Sequence, residues 1–158
     1  MGIDLSIIWF VIIVFATLMY IVMDGFDLGI GILFPFNKNE KERDMMMNTV
    51  APVWDGNETW MVLGGAALYG AFPLAYAVIV DALSVPLTAM LLGLIFRGVA
   101  FEFRFKATPE HRPLWDKAFI GGSVLATFSQ GVAVGTLVNG LQVTGRAFSG
   151  STMDWLAP

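Results

Sequence analysis

Leu5-Ser6-Ile7-Ile8-Trp9-Phe10-Val11-Ile12-Ile13-Val14-Phe15-Ala16-Thr17-Leu18-Met19-Tyr20-Ile21-Val22-Met23 runs for 19 residues without a formal charge. A helix needs about 20 apolar residues to cross the roughly 30 Å hydrocarbon core of a bilayer, so this stretch predicts a transmembrane helix. A secretory signal peptide would place basic residues ahead of a shorter apolar run. Only Asp4 stands ahead of this one, and the segment is expected to stay in the mature protein. The rest of the composition agrees. Of 158 residues, 56% are hydrophobic and 14% charged, against about 25% charged in soluble domains. A net charge of −4 gives no support to a nucleic-acid-binding surface, and lipid is the expected partner. Cysteine is absent, which excludes disulfides, Cys-ligated zinc, iron–sulfur clusters and thiolate nucleophiles.

Working outward, apolar character resumes after Asp24-Gly25-Phe26-Asp27 and continues to Phe36, so the first span is placed at about 5–36. Pro35 and the run from Asn37 to Asp44 predict a solvated loop. A second span is expected at 49–70, with Pro52 fitting a first helical turn. Phe72-Pro73 marks a tight turn. The third span covers 74–104, is uninterrupted through Phe96 apart from Asp81, and is expected to kink at Pro86. A charged stretch from Arg97 to Lys117 leads to a fourth span at 118–141, and Thr144 to Pro158 reads as loop. The fold class is therefore all-α integral membrane, a bundle of four transmembrane helices forming one unit. Spacings such as Gly25/Gly29, Ala66/Gly70 and Gly131/Gly135 suit helix–helix contacts.

Eight of the nine basic residues (Lys38, Lys41, Arg43, Arg97, Arg104, Lys106, Arg112 and Lys117) fall in the first-to-second and third-to-fourth connections, and Arg146 lies on the other side. Lys and Arg concentrate in cytoplasmic loops, so both termini are expected outside. Glu102, Arg104 and Lys106 alternate with aromatics at a cytoplasmic helix end, which predicts membrane anchoring.

Asp24 and Asp27 are three residues apart, as are Asp55 and Glu58. Each pair shares a helix face, and helices running in opposite directions bring the two pairs to similar depth. A carboxylate at the bilayer centre costs about 2.5–3.5 kcal/mol on insertion scales, so four of them imply shared protons, a relay, or pairing with a cation. The plainer alternative makes Asp24 or Asp27 a cap at the cytoplasmic end of the first helix and sets Asp55 or Glu58 against a helix N-terminus. Trp54 and Trp60 suit interfacial aromatics, Asn57 suits a bond between helices, and Asp81 suits a counter-ion or a second polar path. His111, the only histidine, lies in Thr108-Pro109-Glu110-His111-Arg112-Pro113, a loop, so no haem or metal is expected to be bound by this chain. On the residues alone, a small cation- or proton-coupled carrier or channel subunit fits the intramembrane acids, and a purely structural scaffold would need those acids to be interfacial.

Three motifs narrow this. Asp24-Gly25-Phe26-Asp27-Leu28-Gly29-Ile30-Gly31, Ala51-Pro52-Val53-Trp54-Asp55-Gly56-Asn57-Glu58-Thr59-Trp60 and Phe96-Arg97-Gly98-Val99-Ala100-Phe101-Glu102-Phe103-Arg104 resemble, in order, helices one to three of subunit II of the cytochrome bd-type quinol oxidases. Glu58 in place of glutamine is similar to the cyanide-insensitive branch. The resemblance covers about the first half of a typical subunit II. It implies a bacterial cytoplasmic (inner) membrane complex that oxidises quinol and reduces dioxygen to water, contributing to the proton gradient. The haems, b and d, would sit in the partner subunit I, and subunit II would be haem-free. Asp55 would then lie on the cytoplasmic proton path, with Glu58 and Asp27 as further acids and Trp54, Asn57 and Asp24 as supporting residues. Small accessory membrane subunits, a bound quinone, and the choice between ubiquinol and menaquinol are left open.

Overall fold

The computed structural model describes residues 4–156. Helix α1 (Leu5–Leu33) has 29 residues, which at 1.5 Å per residue is about 43 Å, longer than a bilayer core. Asp4 starts it by accepting the Ser6 amide at 2.9 Å, and a single 3-10 turn containing Pro35 ends it at Phe34–Phe36.

The expected loop at 37–44 is mostly helix. Helix α2 (Glu40–Val50) is capped by the Asn39 side chain on the Lys41 amide at 3.1 Å, and Glu40 and Glu42 in its first turn complement the positive end of the helix dipole. Its first half is polar, while Met47 and Val50 are fully buried against Phe34, Ala100, Phe101 and Phe119. The charges led the sequence reading to a loop; the apolar residues behind them fold it as an amphipathic helix.

Helix α3 (Trp54–Ala71) follows. The third expected span is two helices, α4 (Pro73–Ala82) and α5 (Ser84–Lys106), which meet at Leu83. Pro86 explains the position of the break. A proline ring collides with the carbonyl four residues back, here that of Ala82, and offers no N–H. A new helix starting at Ser84 places Pro86 in a first turn, where no N–H partner is needed. Helix α6 (Arg112–Asn139) ends at Gly140, whose φ of 88° suits only glycine. Beyond it lies a short antiparallel ribbon, β1 (Val143–Thr144) and β2 (Ala147–Phe148), turning through Gly145 at φ 66°. A 3-10 turn at Asp154–Leu156 completes the described chain.

Among the described residues three helical segments are long and apolar enough to cross a membrane: Leu5–Phe36, Ser84–Lys106 and Arg112–Asn139. Helix α3, with Asp55, Asn57 and Glu58 in its first turns, is not one of them.

Helix α1 packs along α3 and α6, and α6 packs along α5. The α5–α6 contact is backbone to backbone: a Cβ on Gly93 would lie 2.7 Å from the Gly122 carbonyl oxygen, and one on Gly122 would lie 2.5 Å from that of Gly93. The glycines singled out by spacing behave differently. Gly25, Gly29, Gly70, Gly131 and Gly135 would meet nothing within 4 Å, so within this chain they make no close helix contact. Spacing alone does not say which face a small residue occupies.

The two basic connections lie at one end of the bundle. Arg43 of α2 pairs with Asp116 of α6 at 3.0 Å, Arg104 of α5 pairs with both Asp116 and Asp44, and Arg112 pairs with Glu40 at 3.1 Å. Arg104 is 1% exposed, with its guanidinium over the Phe34 ring. The anchoring expected of it is overturned: its partners are carboxylates, not headgroups. Glu102 and Lys106 pair with each other at the surface.

Candidate functional site

Asp24 and Asp27, one turn apart on α1, are both fully buried. The cap alternative does not hold, because both point into the bundle and meet Arg97 of α5, itself 1% exposed. Arg97 Nη1 donates to Asp24 Oδ1 at 3.0 Å, and Arg97 Nη2 lies 3.6 Å from Asp27 Oδ2. Asn57 of α3 donates to the same Asp27 oxygen at 2.9 Å, the interhelical bond expected of it. Three helices thus meet in one polar centre. Close by, Tyr20 accepts a 2.6 Å hydrogen bond from Gln130 of α6.

Arg97 falls within the span placed at 74–104 and also opens the basic stretch read as a connection; it lies inside α5, with its guanidinium over the Phe101 ring as well. The signal was present in Gly98-Val99-Ala100-Phe101, an uncharged turn that carries the helix past Arg97.

Asp55 and Glu58 share a face of α3, as their spacing requires, but that face is not the one bearing Asn57. They line a lateral groove of about 520 Å³ between α3 and α5, together with Leu94, Ile95 and Glu102. Asp55 is exposed and in the first turn of α3, where the helix dipole favours a carboxylate. Glu58 is half-buried, one turn deeper. Asn57 is the hydrogen-bonded link between α3 and Asp27, and Glu58 lies within electrostatic reach of Asp24 and Arg97. Trp54, which also lines the groove, stacks on Phe101 at 5.2 Å, above Gly98, where an added Cβ would sit 3.1 Å from the indole. Trp60 meets Phe15 edge-on at 5.8 Å. Asp81 is exposed, away from this centre.

His111 is exposed at the start of α6 and bonds Thr108 Oγ1 at 2.8 Å, and among the described residues no three His, Cys, Asp or Glu side chains converge as a metal site.

Fold and site together define an all-α protein with three candidate membrane spans and a buried acid–arginine centre built by α1, α3 and α5. The chain belongs to the cytochrome bd terminal oxidase subunit II family, whose model matches residues 5–158. It is 35% identical to the probable cytochrome oxidase subunit 2 of Haemophilus influenzae over 98% of this chain and 43% of that protein. It is also 37% identical to the cytochrome bd-I ubiquinol oxidase subunit 2 of Escherichia coli over 87% of this chain and 37% of that one, and 36% identical to the cytochrome bd ubiquinol oxidase subunit 2 of Bacillus subtilis over 86% and 41%. The chain thus spans about two fifths of the length of the curated relatives it matches.

Proposed function

We propose that this chain serves in subunit II of a cytochrome bd-type quinol:oxygen oxidoreductase in the bacterial cytoplasmic membrane. In this reading it is haem-free, packs against a subunit I that holds haems b and d, and supplies part of the path by which protons reach the site of dioxygen reduction. Four helices span the bilayer, α4 and α5 together forming the third crossing, and both termini face outward. The observation that carries the reading is family membership along nearly the whole chain, joined to the position of its acids.

The chemistry follows from placement. Reduction of dioxygen consumes protons, and an apolar interior conducts them only through titratable or hydrated groups. Asp55, exposed at the groove, is the entry acid in this reading. Glu58, one turn deeper on the same face, is the next acceptor. Asn57 ties this part of α3 to Asp27, fixing the entrance against the buried centre. Trp54 stacked on Phe101 and the apolar groove wall of Leu94 and Ile95 restrict water to the acid-lined strip. Electron transfer belongs to the haems of subunit I, and no step of it is assigned to residues of this chain.

The sharing of one end by the two basic connections supports a cytoplasmic α2 and α5–α6 connection. Cysteines introduced at Lys41 and Glu110 are expected to be shielded from an impermeant thiol reagent in intact cells, while one at Ser149 reacts; the reverse pattern rejects the orientation. For the assignment itself, the chain should co-purify with a haem-bearing membrane subunit and support quinol-dependent oxygen uptake. Ion flux by the chain without such a partner would favour the carrier instead.

A further inference from the structure

The buried centre is out of charge balance. Asp24 and Asp27 bring two carboxylates and Arg97 one guanidinium, which stays protonated in proteins. Asp24 and Asp27 are 0% exposed and Arg97 1%. A net negative charge in such a place is disfavoured by desolvation and is relieved by a counter-ion or by neutralising one acid.

The hydrogen bonds say which acid is neutralised. Asp24 Oδ1 accepts a charge-assisted bond from Arg97 at 3.0 Å. Asp27 Oδ2 is 3.6 Å from Arg97, beyond hydrogen-bonding distance, and is bonded instead by the neutral Asn57 amide at 2.9 Å. Asp27 Oδ1 and Asp24 Oδ2 are each buried with no partner, as are Arg97 Nε and Nη2, so what sets the two acids apart is the charge-assisted bond that Asp24 receives. An amide donor satisfies a carboxyl C=O oxygen as well as a carboxylate, and a carboxylic acid carries its hydrogen on the other oxygen. The titratable and charged neighbours are Tyr20 and Asp24 on α1, Glu58 on α3 and Arg97 on α5, while α6 contributes only the neutral Gln130, through Tyr20. Arg97 is the single cation in that set.

We propose that the Asp24–Asp27–Arg97 centre is a proton-binding site: one proton, taken up from water, sits on Asp27 Oδ1 as a carboxylic acid, while Asp24 remains ionised against Arg97. The binding is a plain protonation, carboxylate plus proton giving carboxylic acid, and needs no redox partner. It follows from the charge count and the hydrogen bonds, whatever reaction the complex performs. The second ion cluster of the molecule supports the same rule: Arg43 and Arg104 meet Asp44 and Asp116, two charges of each sign, and no extra proton is called for.

The test is infrared absorption of the membrane-embedded complex in the carbonyl-stretch region of protonated carboxylic acids, which reads protonation without turnover. Asp27→Asn should remove one such band. Asp24→Asn should remove it as well, because a single carboxylate against Arg97 is already neutral and Asp27 ionises. Arg97→Gln should add a second band, because both acids then lie buried without a cation. A spectrum unchanged by Asp27→Asn overturns the proposal. So does an Asp24→Asn complex that retains the Asp27 band, since the proton would then not be set by charge balance. If Arg97→Gln does not assemble, the two Asp variants, each nearly isosteric with the native side chain, decide the matter. A failure of the oxidase reading would appear as missing oxygen uptake in the unsubstituted complex and leaves this readout intact.

Discussion

Among the described residues two ion clusters are built from the same residue types, and they differ in charge balance and in burial. The one at the α2 end joins Arg43 and Arg104 to Asp44 and Asp116, with side-chain exposures of 25% for Arg43 and 35% for Asp44. The one between α1, α3 and α5 joins Arg97 to Asp24 and Asp27, all at 1% exposure or less. The first cluster is neutral and wetted at its edges, so it behaves as a clasp holding α2 to α5 and α6. The second is fully buried and one positive charge short, so it stores electrostatic stress that a proton relieves. Identical side chains thus serve as a fastener in one place and as a titratable centre in the other.

Removing the cation from each cluster is the strongest way to break that comparison. Arg97→Gln leaves two buried carboxylates without a partner, and breaking a buried pair in this way costs about 3–5 kcal/mol. A large fall in the yield of assembled complex and in its thermal midpoint is expected. Arg104→Gln should cost less, about 1–3 kcal/mol, because Asp116 keeps Arg43 and Asp44 reaches solvent. Comparing the two thermal midpoints checks the order; an equal or reversed loss would mean that burial and charge balance do not govern these clusters. At the bottom of the scale lies Arg112→Ala, which removes the exposed pair with Glu40. It should change stability by less than about 1 kcal/mol, and by still less in high salt.

The difference between the clusters also shows what the sequence made legible. The uncharged run from Leu5 to Met23 predicted α1, the spacing of Asp24 and Asp27 predicted their shared face, and Asn57 was expected to bond across helices. The partner of the two aspartates was not legible. Arg97 lies 73 residues from Asp24 in the chain, and the uncharged turn that follows it marks it as helical without saying which acids it meets. Two buried acids did announce the need for a cation, without saying which of nine basic residues supplies it. Helix α2 was hidden for a related reason, because Asn37 to Asp44 reads as solvent-seeking until Phe34, Phe101 and Phe119 are seen to cover Met47 and Val50. Similarly, Pro86 announced a distortion, but only packing shows the chain restarting at Ser84. The family resemblance was carried by the same residues that build the centre, which is why it was readable before any contact was known.

The groove acids differ from both clusters: among the described residues Asp55 and Glu58 form no ion pair, and Asp55 is exposed. Substitutions there should therefore act on proton supply and not on folding. Glu58→Gln is expected to lower turnover by less than Asp55→Asn, because proton entry begins at the exposed acid.

Turnover and haem content measured together on the purified Asp55→Asn complex, from mildly acidic to mildly alkaline pH, test the central claim most directly. Asparagine keeps the size and one acceptor but cannot take up and release a proton. Quinol-driven oxygen uptake should therefore fall by about tenfold or more while haem content per complex stays near that of the unsubstituted enzyme. Normal turnover across that range would contradict a role for Asp55 in proton supply, and parallel loss of haem and activity would make it a structural acid instead.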